Sequence, residues 1–207
     1  MRGNMPAMVK NPRREVIALM GRGRLLRARE LAGARIDRSE LRRLTAAGVL
    51  ERVTRGVYRL ANAPVTEAHT VATVLKRVPQ ATVCLLTALQ MHGLTTQLPH
   101  QVWIALDGKA RRPRLTDLPV RVVRFSGAAL TAGVEIRKVE GVTVRVYGPA
   151  KTVADCFKYR NKIGLDVAIE ALRDYRRRYP KRGEELRDYA RVCRVLNVMK
   201  PYLEVLV

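Results

Sequence analysis

Arg38, Ser39, Arg42, Arg43 and Ala46 lie within one short run, RSELRRLTA. At about 100° per residue on a helix they share one arc, while Leu41 and Leu44 point the other way. Arginine can take guanine O6 and N7 bidentately, and a residue as small as Ala46 lets a helix approach the floor of a major groove. Glu40 is placed to the side as a capping residue, so this face is expected to carry three arginines and a serine with no acid among them. Arg52, Thr54 and Arg55 surround a turn at Thr54-Arg55-Gly56, with the chemistry to hold phosphates or enter a flanking minor groove. The plainer alternative for both groups is a solvated helix face and an exposed turn. Overall charge favours the nucleic-acid reading: 40 Lys and Arg against 18 Asp and Glu leave a net +22. Such a chain needs an anionic partner, with nucleic acid ahead of a membrane surface or an acidic protein.

Asp107-Gly108-Lys109, directly after the apolar run Val102–Leu106, invites a second chemistry. Metal-dependent nucleases place a carboxylate and a lysine in this way at a strand end. They also need a second carboxylate to hold the ion. No acid lies between Glu67 and Asp107, and Glu67 opens an expected helix, where an acid has an ordinary dipole role. Asp-Gly-Lys is also a common turn sequence, so the turn is the expectation. His69, His92 and His100 show neither HxxxH nor HExxH spacing, and there is no GxSxG, P-loop or GxGxxG. Neither an enzyme nor a metal or cofactor site is expected. Lys151 and Asp155, at i and i+4, leave two readings open, a structural pair or a partner contact. Arg173, Arg176, Arg177, Arg178, Lys181 and Arg182 cluster at a helix end, which suits the dipole and secondarily an anionic partner.

The elements that must position these residues can be read in part. Val16, Leu19 and Met20 keep helical spacing up to Gly21-Arg22-Gly23, and Leu26–Ala34 reads as a second helix. Asp37 begins a third, with Glu40 completing a capping box and Gly48 beyond its end. Runs 49–53 and 57–60 around the glycine turn make a hairpin. That order is a winged helix-turn-helix. Beyond it, Thr66–Val78 and Ala81–His92 read as helices, the latter capped by Gly93. Four strands are expected at Val102–Leu106, Val120–Phe125, Val134–Val139 and Val142–Tyr147. Helices follow at Ala150–Tyr159, Leu165–Tyr179 and Glu184–Val198. The fold expected is α+β: a winged helix-turn-helix over residues 1–63, then a mixed α/β domain over 64–207 with a roughly four-stranded sheet. The boundary falls at Ala61-Asn62-Ala63-Pro64, where the basic excess also drops.

With 47% apolar and 28% charged residues the chain can build a core and is no disordered basic tail. Cys84, Cys156 and Cys193 are odd in number, far apart and set among apolar residues, as expected of reduced cysteines in a cytoplasmic protein. The start, MRGNMPAMVKNP, shows no apolar signal region. The charge-free stretch from Val78 to Leu106 is interrupted by Pro79, Gly93 and Pro99, so no membrane span is expected.

Three blocks carry a family resemblance: Leu44–Leu60, Thr87–Leu106 (TALQMHGLTTQLPHQVWIAL) and Ala150–Leu172 (AKTVADCFKYRNKIGLDVAIEAL). Together they resemble the AbiEi family, the antitoxin and repressor halves of type IV toxin–antitoxin systems, from about residue 15 to 195. The resemblance implies an N-terminal winged helix that binds inverted repeats upstream of its own operon and represses it. It also implies a C-terminal domain that counteracts a nucleotidyltransferase-like toxin, without a stable complex. On this chain the DNA contacts would be Arg38, Ser39, Arg42, Arg43, Arg52, Thr54 and Arg55. The alternatives are a solitary winged-helix regulator without a toxin and, further off, the metal-dependent nuclease.

Overall fold

The computed structural model describes residues 12–21, 23–34 and 36–205. The signal-peptide expectation at the start and Arg22 of the first helix stop lie outside them.

The first group of elements runs α1 (Pro12–Met20), β1 (Leu26–Arg27), α2 (Ala28–Gly33), α3 (Arg38–Ala46), β2 (Leu50–Thr54) and β3 (Val57–Leu60). The strands form an antiparallel sheet in the order β1-β3-β2. The expected second helix loses its first two residues to this sheet, because Leu26 and Arg27 pair with Tyr58 and Val57. Two residues are too few to show a period of two, and an apolar residue such as Leu26 satisfies either pattern. Asp37 caps α3 by accepting the Glu40 amide at 2.8 Å. Leu41 and Leu44 then bury against Val16, Met20, Leu31, Ile36 and Leu50. Gly56 turns the hairpin at φ +74°, a conformation that disfavours side chains.

The second group runs α4 (His69–Arg77), β4 (Thr82–Val83), α5 (Leu85–His92), β5 (Val102–Asp107), β6 (Val120–Phe125), α6 (Ala128–Thr131), β7 (Val134–Val139) and β8 (Val142–Tyr147). Five helices complete it: α7 (Pro149–Lys158), α8 (Arg160–Ile163), α9 (Leu165–Arg178), α10 (Gly183–Val192) and α11 (Leu196–Val205). The sheet has five strands in the order β6-β5-β4-β8-β7, with β5/β6 and β4/β8 parallel. The extra strand, β4, was expected to be helix. Ala81–Leu85 is an unbroken buried run, and burial on both faces erases the periodicity that separates strand from helix. The expected helix over Glu184–Val198 is instead two, broken at Arg194, where φ is +57°.

Alternation along the strands sorts the core into two layers. Trp103, Ala105, Val123 and Phe125 face α7 and α9, while Val102, Ile104, Val144 and Val146 face α4. Leu25 and Val57 of the first group share that second layer with Val71 and Leu75 of α4. The α3-bearing sheet is thus seated on the larger one. Glu140, in the β7–β8 turn, adds a polar tie. Its carbonyl accepts the Leu25 amide at 3.2 Å, and its carboxylate receives Thr66 and the His69 ring at 2.7 Å.

Candidate nucleic-acid interface

The first turn of α3 is fixed by its cap, and its buried leucines leave Arg38, Ser39, Arg42 and Arg43 exposed. Arg38 and Arg42 pair with no acid among the described residues. Arg43 does: Glu40 takes it at 2.7 and 2.9 Å. Only half of the capping box forms, since the Glu40 carboxylate turns to Arg43 while Asp37 holds the Glu40 amide. The face is therefore not free of acid at that point. Ser39 donates to Asp37 at 2.6 Å, so its hydroxyl is engaged in the cap.

Arg52 on β2 and Arg55 in the turn are exposed and free of ion pairs among the described residues. Thr54 is different. It is 7% exposed, and its hydroxyl donates to the Asp117 carboxylate while accepting from Arg77 at 2.9 Å. The Asp117 carboxylate also receives the Arg55 amide and Arg77, and these donors, led by Thr54, hold its carboxyl below the usual range. Thr54 thus fastens the hairpin tip to the segment between β5 and β6 and presents nothing to a phosphate.

That segment carries Lys109, Arg111, Arg112 and Arg114, all exposed and none paired with an acid among the described residues. Arg77 Nη2 donates to the Arg114 carbonyl, which ties this basic loop to the tip bearing Arg55. Sequence reasoning missed this neighbour. The RRPR run at 111–114 was a visible signal for the loop. Nothing local marks Arg77 and Asp117, whose partners are remote in the chain.

Other candidates resolve into structural roles. Asp107 accepts the Lys109 amide at 2.7 Å, the turn expected from Asp-Gly-Lys. No cluster of three His, Cys, Asp or Glu residues fit for a metal occurs among the described residues. Lys151 and Asp155 are buried side by side, 2.6 Å apart, with Cys193 donating to the same carboxylate. In the helix-end cluster, Arg178 donates to the His92 carbonyl at 2.6 Å and Arg177 pairs with Asp174.

All seven candidate residues fall in the segment that comparison with protein families singles out. Residues 14–61 match the family described as "Transcriptional regulator, AbiEi antitoxin". The resemblance drawn from the sequence is thus shown for this segment. The AbiEi match spans every element from α3 to β3. Among solved structures, the chain is similar in fold to the RV2827C protein from Mycobacterium tuberculosis. The TM-score is 0.57 at 16% identity, with 94% of this chain and 80% of that chain covered. No curated protein matches the chain. No helix among the described residues is long and apolar enough to cross a membrane.

Proposed function

We propose that this chain is a DNA-binding repressor of its own operon and the antitoxin of a type IV toxin–antitoxin system, with no catalytic role. Residues 1–63 form a winged helix-turn-helix in which α3 enters the major groove and the β2–β3 hairpin is the wing. Residues 64–207 form the domain that opposes a nucleotidyltransferase-like toxin without a stable complex. The observation that carries the DNA reading is the outward face of α3, where Arg38 and Arg42 are exposed and unpaired in a segment matching a regulator family. Arg43 and Ser39 flank them, and Arg52 and Arg55 reach the backbone beside the helix. The Lys109–Arg114 loop, tied to the wing tip through Arg77, extends the same positive strip.

Fluorescence anisotropy on the duplex upstream of the gene, against a scrambled duplex across a salt series, tests this reading. The specific duplex should bind a hundredfold or more tighter. With on the order of 6–10 phosphate contacts, affinity should fall by about 10³–10⁵ between 50 and 200 mM salt. Arg42→Ala should cost roughly 1–3 kcal/mol on the specific duplex if Arg42 reads a base, and act equally on both if it holds a phosphate. Unchanged affinity for Arg42→Ala combined with Arg55→Ala overturns the placement of the interface. Growth rescue on co-expression with a neighbouring nucleotidyltransferase-like gene tests the antitoxin half.

A further inference from the structure

On the side of the larger sheet away from α4, a cavity of about 340 Å³ opens beside the carboxyl end of β6 and the C-terminal ends of α7 and α10. Its size is at the small end of ordinary ligand sites, and the carboxyl ends of strands in α/β sheets are where such sites form. The lining residues that matter are Lys158 and Arg194, the aromatic residues Phe125 and Tyr159, and Asp155. Arg124 contributes its backbone, since its side chain leaves β6 on the opposite face from Phe125 and donates to the Asp107 carbonyl at 2.7 Å. The repressor reading uses none of them.

Three features give this cavity a preference. The first is charge. Arg187 and Arg191 on α10 each have an acid three residues earlier, Glu184 and Asp188, within ion-pair distance. Arg194, three residues further on, has none, and Lys158 likewise pairs with no acid among the described residues. The acid in the lining, Asp155, is already compensated by Lys151 at 2.6 Å. The field in the cavity is therefore positive, and two cations, Arg194 and Lys158, are available to an anion.

The second feature is the backbone at Arg194. α10 ends there with φ at +57°, while the Val195 amide bonds back to the Ala190 carbonyl. Helices usually place glycine at such a position, because a Cβ is disfavoured in the left-handed region. This chain places an arginine there, and that residue lines the cavity. The third feature is a fixed aromatic wall of two rings tilted by 32° to one another. Phe125 and Tyr159 lie 5.4 Å apart between centroids, and the Tyr159 hydroxyl is held by the Arg124 carbonyl at 2.9 Å. Cations around an immobilised aromatic wall suit a ligand that is planar at one end and phosphorylated at the other.

We propose that this cavity binds a free mononucleotide, with its phosphate on Arg194 and Lys158 and its base against Phe125 and Tyr159. The test is isothermal titration of the full chain with AMP, GMP, CMP, UMP and ATP, and with inorganic phosphate and a short single-stranded oligonucleotide as separate arms. At least one nucleotide should saturate the chain with Kd below about 1 mM, more tightly than phosphate or the oligonucleotide. Arg194→Gly is the decisive variant, because glycine suits the backbone there. It should leave Tm unchanged or raised while weakening the nucleotide at least about tenfold and leaving affinity for duplex DNA unchanged. Lack of saturation by every nucleotide overturns the proposal. So does an Arg194→Gly chain that binds as well as the parent, or phosphate or oligonucleotide binding as tightly as any nucleotide.

Discussion

Two ion pairs, each about one helical turn long, stand in contrast here. Glu40 and Arg43 on α3 pair at the surface, with Arg43 65% and Glu40 18% exposed, whereas Lys151 and Asp155 on α7 are 0% and 2% exposed. Sequence spacing makes them almost equivalent, at i,i+3 and i,i+4. Surroundings make them opposites. In water the pair sets where a guanidinium points and contributes little to folding. In the core neither charge is tolerated without the other, because each has exchanged solvent for its partner. Lys151 Nζ holds both Asp155 oxygens and sits 4.1 Å from the centre of the Tyr147 ring, while Cys193 adds a third donor to the carboxylate. Burial still pushes the Asp155 carboxyl up to about 6, against the pull of Lys151.

The strongest challenge to the contrast is to remove one buried partner. Lys151→Met should cost about 3–5 kcal/mol, because Asp155 is left ionised without its counter-charge or is forced to take up a proton. Lys151→Met with Asp155→Leu should recover most of that loss, since a buried pair replaced by apolar residues of similar volume is often near neutral. Urea unfolding of the parent, the single and the double variant measures both. A single variant as stable as the parent would mean that water reaches the pair and that the two regions do not differ in kind.

His92 shows another way to bury a titratable group, by keeping it neutral. Its Nε2 hydrogen donates to the Tyr147 carbonyl at 2.7 Å, and Nδ1 accepts from Arg137 at 2.9 Å. Burial lowers the imidazole pKa, and the Arg137 charge lowers it further against the help of the Tyr147 carbonyl. The unfolded chain takes a proton near the ordinary value of about 6.5, and the folded chain resists it. Stability from this group is therefore full at neutral pH and is lost as pH falls below about 6.5. Asp155 acts in the opposite sense, because its raised folded value makes the folded state take up a proton first as pH falls through about 6. His92→Gln keeps a donor for the Tyr147 carbonyl and isolates the histidine. Between pH 7.5 and 5.5 the parent should lose more stability than the variant by denaturant melts, and equal losses would deny the neutral-histidine account.

Legibility of the sequence follows the same division between water and core. The exposed α3 face was readable because Asp37, Leu41 and Leu44 fix a short amphipathic helix by local rules alone, as caps and periodicity require. The strands with alternating apolar residues, β6 to β8, were readable for the same reason. β4 was not, because Thr82 and Val83 are buried on every side and their partners in β5 and β8 are distant in sequence. The Lys151–Asp155 spacing was visible, yet only packing by Tyr147, Phe125 and Cys193 decides that it is structural. The burial of Thr54 is hidden from the sequence for the same reason. A hairpin residue two positions before a glycine looks exposed until Asp117 and Arg77 arrive from elsewhere in the chain.

The smallest expected effect tests the exposed half of the contrast. Glu40→Gln removes the carboxylate that clasps Arg43 but leaves the amide that Asp37 caps. Melting temperature should hardly move, since an exposed pair adds little to folding. Binding to duplex DNA should tighten, by roughly two- to fivefold, because an anion leaves the face and a guanidinium is released to a phosphate. One more phosphate contact should also steepen the dependence of log affinity on log salt by about one. Weaker binding to the upstream duplex alone, with the scrambled duplex unaffected, would instead mean that Glu40 holds Arg43 in the orientation that reads a base. The carboxylate would then be part of the recognition surface, and the exposed pair would matter through geometry where the buried pair matters through charge.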